Sequence, residues 1–367
     1  MKLSKYIFFL TFIIISLSCS KNSDNLPITK VEPETTGKQK NIILMIGDGM
    51  GLAQISAART VNGGHLHMLS GKTVGVQSTH AADKYVTDSG ASATAMACGQ
   101  KTNYYSVGVD VDGNPLENII EIIQKKHMQT GLVTTSSITH ATPAAFYAHQ
   151  VDRFQYEAIA LELVDAKVDF FAGGGRQRFN QRTDGINLLD SLTADGYKVC
   201  QELSEVDLNK KNAVFIADGH PVRLSEGRGD FLPNATSKAL EFLGTSEEGF
   251  FLMIEGAQID WACEENNQAY LLDEMLDFDR AVGVALNFAK NNGNTVVVVT
   301  GDHETGGYAL LDGDVYGQTV DGQFLTFMHT GTLVPVFSFG IGEEMFNGMY
   351  ENSAFFTKFL DFYNLTK

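Results

Sequence analysis

Unbroken apolar runs recur along this chain and are separated by segments with helical spacing. The runs cover residues 42–46, 132–135, 250–254, 296–299 and 334–339. Runs of β-branched and aromatic residues without alternation are typical of strands that are covered on both faces. Each run therefore predicts a strand in the interior of the protein.

Apolar residues between these runs recur with the period of a helix over residues 116–126, 156–164 and 271–291. Strands that alternate with helices favour a parallel sheet. We therefore predict an α/β fold, a three-layer sandwich whose mostly parallel central sheet is flanked by helices. Residues 176–236 are more polar and are interrupted by glycine, which indicates a surface subregion rather than a separate domain.

Composition narrows the class of protein. The 367 residues are 44% hydrophobic, enough for a sizeable core, and 44 acidic residues against 27 basic ones give a net charge of −17. Such an acidic chain is unsuited to general binding of nucleic acid or of anionic membranes, so no nucleic-acid partner is expected. An anionic substrate would need local cations.

The N-terminus has the pattern of an export signal. Lys2 and Lys5 precede an apolar run over residues 6–18, and Cys19 follows. We predict a signal peptide over residues 1–18, a flexible tether over 19–40 and a single domain over 41–367. The residues before Cys19 resemble a bacterial lipoprotein cleavage site, so we expect a periplasmic protein or one anchored to the outer membrane by a lipid on Cys19, its only membrane contact. A plain cleaved signal is the alternative.

Polar side chains follow four of the apolar runs. Asp48 comes after the first run, residues 140–142 after the second, Glu255 after the third, and Asp302 and His303 after the fourth. Ligands bind beyond the carboxyl ends of parallel strands, where side chains from distant parts of a sequence meet. The pattern therefore predicts a metal site at this edge of the sheet.

The stretch TDSGASATA (residues 87–95) places an acid and a hydroxyl before a series of small residues. One interpretation is a helix N-cap, because Asp and Ser are preferred caps and Ala favours helices. The other is a nucleophilic Ser89 at a helix N-terminus, where backbone amides favour an anion. The stretch alone leaves both open.

Six ordered motifs carry a family resemblance. GDGMG (47–51), TDSGASATA (87–95), THATPAAFYAHQVDR (139–153), EGAQID (255–260), TGDHETGG (300–307) and HTG (329–331) together resemble alkaline phosphatases, from about residue 40 to the C-terminus. The resemblance implies a phosphomonoesterase that uses two zinc ions and one magnesium ion and acts on small phosphate monoesters. It also favours a homodimer. Two divalent metals suit this reaction because they stabilise both the entering and the leaving oxygen.

The resemblance also assigns residues. It implies that Ser89 is the nucleophile, which forms a phosphoserine, and that Asp88 is a positioning acid rather than a ligand. Arg153 matches the clamp that holds two phosphoryl oxygens. The implied ligands of the second zinc are Asp48, Asp302 and His303, with Ser89 bridging to it, and those of magnesium are Asp48, Thr142 and Glu255.

The first zinc site departs from the family pattern. Asp260 and His329 match it, but Glu264 stands where the family has a histidine. Three outcomes are open: Glu264 ligates through oxygen, which we favour, the site takes a harder or more weakly bound metal, or the site is partly empty. His140 and Trp261 occupy variable positions of the family. We expect His140 to order a water near the third metal and to protonate near its usual pKa of about 6.5 unless the metals depress it, and Trp261 either to pack or to line the substrate entrance.

There are three alternative functions. A phosphodiesterase of the same superfamily could share the metals and the nucleophile, but a guanidinium that grips two oxygens favours monoesters. A sulfatase would need a Cys/Ser-x-Pro-x-Arg context that Ser89 lacks. A non-catalytic lipoprotein that binds phosphate or metal is the alternative from another class, and the retained Ser89 and Arg153 argue against it.

Overall fold

The computed structural model describes residues 40–365. The described residues belong to one compact unit. The signal peptide, the lipid on Cys19 and all of the tether except Lys40 lie outside this range and stay predictions. Within residues 40–365, none of the helices combines the length and apolarity that a membrane span requires.

Fourteen strands are present in the described range. They are β1 (Asn41–Gly47), β2 (Thr73–Ser78), β3 (Gln129–Ser137), β4 (Phe170–Gly174), β5 (Lys198–Cys200), β6 (Asn212–Phe215), β7 (Phe250–Gly256), β8 (Thr295–Gly301), β9 (Glu304–Thr305), β10 (Ala309–Asp314), β11 (Thr319–Gln323), β12 (His329–Thr330), β13 (Val334–Gly340) and β14 (Gly348–Glu351). All five apolar runs of the sequence fall within strands, namely β1, β3, β7, β8 and β13.

Eleven α-helices accompany the strands of residues 40–365. They are α1 (Leu52–Val61), α2 (Ser89–Cys98), α3 (Ile119–Gln124), α4 (Ala141–Ala144), α5 (Tyr156–Ala166), α6 (Gln177–Asn180), α7 (Leu188–Ala194), α8 (Phe231–Leu243), α9 (Gln258–Glu264), α10 (Gln268–Asn292) and α11 (Ala354–Tyr363). Short 3-10 turns cover His67–Leu69, Leu203–Glu205, Leu224–Glu226 and Glu343–Phe346.

Ten strands form one sheet in the order β14-β2-β13-β8-β1-β7-β3-β4-β6-β5. Every neighbouring pair is parallel except the two that include β13, which runs antiparallel to both β2 and β8. The predicted mostly parallel sheet is therefore confirmed. Two small antiparallel pairs, β10 with β11 and β9 with β12, lie outside it.

The central strand β1 shows why these runs do not alternate. Ile42, Leu44 and Ile46 pack into the core on one face of the sheet, whereas Ile43 and Met45 pack into the core on the other. The first face is covered by α2, α3, α5, α7 and α11, and the second by α1, α8, α9 and α10. Since both faces are buried, a strand has no polar side to show, and the three-layer sandwich is confirmed.

Two details differ from the sequence-based expectations. The helix expected over residues 116–126 begins only at Ile119, because Asn118 caps it: the Asn118 side chain accepts from the Glu121 backbone N–H, and the Glu121 carboxylate accepts from the Asn118 N–H. Residues 176–236 contribute more than a surface subregion, since β6 and β5 extend the main sheet beside β4.

Candidate active site

Acidic side chains converge where three neighbouring strands end. β1 lies between β8 and β7, and Gly47 is in register with both Gly256 and Gly301. Asp48 follows β1, Asp302 follows β8, and Glu255 is the penultimate residue of β7. All three carboxylates are fully buried. Because these strands are parallel and in register, carboxylates from distant parts of the sequence lie together at one edge of the sheet.

The first group of side chains surrounds Ser89. Asp48, Asp302 and His303 each offer a ligand atom within 4.8 Å of the others. His303 Nε2 lies 3.3 Å from Asp48 Oδ1, 3.3 Å from Asp302 Oδ2 and 3.4 Å from Ser89 Oγ. The N–H groups of Gly49 and His303 donate to Asp302 Oδ1 at 3.1 and 3.0 Å, which leaves Asp302 Oδ2 facing the group.

Thr305 sets the tautomer of His303. The Thr305 hydroxyl donates to Asp260 Oδ1, so its oxygen is left to accept from the Nδ1–H of His303 at 3.1 Å. Nε2 then carries a lone pair that points at Ser89, Asp48 and Asp302. A histidine that binds a metal through one nitrogen typically donates from the other in this way.

A second group lies beside the first and shares His303. Ligand atoms of Asp260, His303 and His329 lie within 4.8 Å of one another. His329 Nδ1 contacts the Thr87 carbonyl at 2.9 Å and therefore donates to it, so Nε2 is free to face Asp260 Oδ1 at 3.5 Å. Glu264 Oε1 is 3.9 Å from the same nitrogen, and its side chain is 46% exposed. The structure thus places Glu264 at the rim of this group.

A third group shares Asp48 with the first. Asp48, His140 and Glu255 offer ligand atoms within 4.8 Å of one another. Thr142 is buried at the start of α4. Burial raises the pKa of Glu255, and the nearby hydroxyls of Thr134 and Thr142 oppose that rise. Glu255 Oε2 accepts from the Thr134 hydroxyl, while Oε1 has no hydrogen-bond donor.

The buried carboxylates of these groups favour bound cations. Burial, with Asp302 and Asp260 nearby, raises the pKa of Asp48 well above its usual value, and burial with Asp260 raises the pKa of Asp302 to about 7. Burial, with His329 and Arg153, lowers the pKa of His303 well below its usual value. Both oxygens of Asp48 and Asp302 Oδ2 are buried without a hydrogen-bond donor. Buried charges persist when paired or when they coordinate metals, so this donor set fits divalent cations.

Ser89 is the first residue of α2, and Asp88 caps that helix. The Asp88 carboxylate accepts from the N–H groups of Gly90 at 3.0 Å and Ala91 at 3.3 Å. All ten residues of α2 are buried. A Cβ on Gly90 would meet the Ser106 carbonyl oxygen at 3.1 Å, so the small residues let the helix sit deep in the fold. The two interpretations of TDSGASATA are compatible, because the cap holds the Ser89 hydroxyl at the site.

Arg153 approaches Ser89 from the loop after α4. Its Nη1 donates to Asp88 Oδ2 at 2.7 Å, and its Nη2 lies 3.3 Å from His140 Nε2. Burial opposes the charge of the guanidinium, but Asp88 and Asp48 outweigh it and raise the pKa of Arg153. Burial and Arg153 lower the pKa of His140 well below its usual value. The expectation that His140 protonates near its ordinary pKa without metals is therefore corrected.

A cavity of about 200 Å³ joins these side chains. Ser89, Arg153, Asp260, His329 and Trp261 line it. Trp261 is half-buried, and its ring lies 5.8 Å from that of His140 and 4.9 Å from that of His220. The indole therefore both packs and lines the opening.

Several residues that lie near the site were not identified from the sequence. Thr305 lies inside the motif TGDHETGG and could have been suspected from its place two residues after His303. His220, whose Nδ1 accepts from the Ser137 N–H at 3.0 Å, has no signal in the sequence. The same holds for Tyr104 and Met328 in the cavity wall.

Comparisons with known proteins agree with this geometry. The sequence model of the alkaline phosphatase family matches residues 39–323. Alkaline phosphatase 3 of Bacillus subtilis is 36% identical over 315 residues, which are 80% of this chain and 68% of that protein. Streptomycin-6-phosphate phosphatase of Streptomyces griseus is 30% identical over 89% of this chain and 91% of its own.

Solved structures extend the likeness. The alkaline phosphatase of the Antarctic bacterium TAB5 is 40% identical, with a TM-score of 0.85 over 90% of this chain and 99% of its own. A variant of the TAB5 protein with Mg bound in its M3 site has a TM-score of 0.86 over the same coverage at 40% identity. The alkaline phosphatase of Thermus thermophilus, 23% identical with a TM-score of 0.82, shares the fold.

Proposed function

Because this chain belongs to the alkaline phosphatase family, whose members are metal-dependent phosphomonoesterases, we propose that it hydrolyses phosphate monoesters through a phosphoserine on Ser89. One observation carries the proposal. Ser89 Oγ lies 3.4 Å from His303 Nε2, in a group with two buried carboxylates, and the same cavity holds the Arg153 guanidinium. A hydroxyl, a cluster of ligand atoms and a cation for phosphate oxygens thus face one space.

The reaction takes two displacements. In the first, Ser89 Oγ attacks phosphorus, the bond from phosphorus to the ester oxygen breaks, and the alcohol leaves with a proton. In the second, water attacks phosphorus, the bond to Ser89 Oγ breaks, and Oγ recovers a proton. Arg153 keeps its charge throughout and offers donors to the non-bridging oxygens, while the dipole of α2 favours the negative charge that develops at its N-terminus.

The proposal also names the residues that would hold the metal ions. Two zinc ions would be held by Asp260 with His329 and by Asp48 with Asp302 and His303, and one magnesium ion by Asp48, Glu255 and Thr142. Bound there, divalent cations lower the pKa of hydroxyl groups and stabilise the entering and leaving oxygens. The orphaned carboxylate oxygens support this assignment, as do the lone pairs on His303 and His329.

Glu264 completes the proposed first zinc site. Burial and Asp260 raise its pKa to about 7, and its Oε1 lies 3.9 Å from His329 Nε2, at the rim of the group that Asp260 and His329 form. Metal counting on Glu264→Ala tests this ligation. We expect one zinc to bind more weakly, with Glu264→His restoring it, whereas two tight zincs in Glu264→Ala would rule ligation out.

Trapping the intermediate tests the function. Metal-loaded protein is mixed with a chromogenic phosphate monoester, quenched in acid and digested, and we expect phosphate on the peptide that contains Ser89. Ser89→Ala should lose nearly all turnover while its metal content, measured by mass spectrometry, stays intact. Turnover by Ser89→Ala at the wild-type rate would refute the proposal. A bis-ester assayed in parallel at equal concentration separates monoesterase from diesterase activity.

A further inference from the structure

A second cavity lies beside the one that Ser89 and Arg153 line. It has a volume of about 350 Å³ and lies between the segment 221–226, α9 and the start of α10. Trp261 and Glu264 line both this cavity and the one that holds Ser89 and Arg153. The two cavities therefore adjoin at these side chains, and we call the second one the alcohol cavity, since a group attached to a phosphate at Ser89 would reach it by passing the indole.

Hydrogen bonds and ring contacts hold the walls of the alcohol cavity in place. Gln258 is buried beneath it, with its Nε2 donating to the Pro221 carbonyl at 2.9 Å and its Oε1 accepting from the Tyr270 hydroxyl at 2.7 Å. Arg223 lies over the Tyr270 ring at 4.2 Å. These contacts fix the floor and one side, and Trp261 provides an aromatic wall on the other.

The charge of the cavity is negative. Arg223 is paired with Glu265, and its Nε is 3.8 Å from Glu226. The side chains of Glu226 and Glu265 both line the cavity and are 57% and 46% exposed. Two carboxylates thus flank one guanidinium, which leaves one negative charge unpaired, while Glu264 belongs to the proposed metal cluster.

We propose that the alcohol cavity holds the alcohol part of the ester and selects alcohols that carry a protonated amine over neutral or anionic ones. This inference rests on the proposed function. An ammonium group would face the unpaired acidic charge and the aromatic ring of Trp261, both of which attract cations. An anionic alcohol would find Arg223 occupied and a carboxylate on either side.

Three esters of matched size test the inference: 2-aminoethyl phosphate, ethyl phosphate and carboxymethyl phosphate, assayed with metal-loaded enzyme at low salt. We expect kcat/KM to fall in that order. The informative quantity is the ratio of kcat/KM for aminoethyl to ethyl phosphate, because the intrinsic reactivity of each ester cancels when variants are compared. Removing one carboxylate near the ammonium should reduce that ratio about three- to tenfold, less at high salt.

The variants are Glu226→Gln and Glu265→Gln, with Glu247→Gln as the matched control. Glu247 is an exposed acid just before β7, at the end of the strand opposite the site, so its loss changes net charge alone. Preference for the anionic ester, absence of any preference, or an equal fall of the ratio in Glu247→Gln would overturn the inference. Hydrolysis of ethyl phosphate that depends on Ser89 would leave the proposed function intact in each of these cases, whereas no hydrolysis of any ester would refute the function itself.

Discussion

Replacing Thr305 with valine removes one hydroxyl from between two proposed zinc sites. Val keeps the shape and the β-branching of Thr, so β9 should be preserved. The loss leaves the buried Nδ1–H of His303 without an acceptor and Asp260 Oδ1 without a donor. A buried group that loses its partner costs about 1–3 kcal/mol. Loss of the group that orients a metal-binding histidine lowers metal affinity by about ten- to hundredfold, which is about 1.4–2.8 kcal/mol and so agrees in size.

The assay is a titration of metal-free protein with zinc against a competing chelator. We expect Thr305→Val to weaken zinc binding in that range and Thr305→Ser, which retains the hydroxyl, to recover most of it. Thr236→Val is the matched control, because Thr236 is buried in α8 outside the candidate site and its hydroxyl has no hydrogen-bond partner in the described chain. Wild-type zinc affinity in Thr305→Val, with wild-type turnover, would refute the orientation argument.

Two further predictions follow from the same contacts. Arg153→Ala should lower kcat/KM roughly ten- to hundredfold, since hydrogen bonds to charged groups contribute about 1.5–3 kcal/mol. The fold should persist, because the Asp88 carboxylate still accepts from backbone N–H groups. An unchanged kcat/KM in steady-state kinetics would contradict the proposed role of Arg153 in holding phosphoryl oxygens. Compared with the variant Asp302→Asn, the metal-free protein should lose stability as pH rises from about 4 to about 7, because burial raises the pKa of Asp302 to about 7 and the folded state favours its protonated form. Denaturant unfolding of both proteins across that range measures the difference, saturating zinc and magnesium should abolish it, and a gain of stability relative to Asp302→Asn as pH rises would contradict the prediction.

Much of the fold could be predicted because its central strands are covered on both faces. The runs that became β1, β7, β8 and β13 are apolar at nearly every position, and that pattern is readable without any knowledge of contacts. β2 is different. Its burial is partial and its middle holds Gly75, where a Cβ would meet the Phe346 carbonyl oxygen at 2.2 Å. The need for that glycine arises from a neighbour far along the chain, and the sequence analysis predicts no element at this position.

The same distinction applies to the site. Asp48, Glu255 and Asp302 could be predicted to meet because parallel register brings strand ends together. The tautomer of His303 could not be predicted, since it depends on the Thr305 hydroxyl, which also donates to Asp260 from a different part of the fold. The position of Glu264 is an intermediate case: helical spacing puts it on the same face as Asp260, but only the packing of α9 decides how far its carboxylate stands from His329.

Charge explains why metals and substrate must bind together in this protein. The site gathers buried carboxylates in a chain of net charge −17, and its one clamp residue, Arg153, is already paired with Asp88. Without cations the surroundings of Ser89 would repel a phosphate dianion. Divalent ions at the proposed positions would satisfy the orphaned oxygens of Asp48 and Asp302 and reverse the sign of the field that the substrate meets. The ions that stabilise the folded site are therefore the same ones that make it an anion site, so phosphate affinity should follow metal occupancy rather than the presence of Arg153 alone.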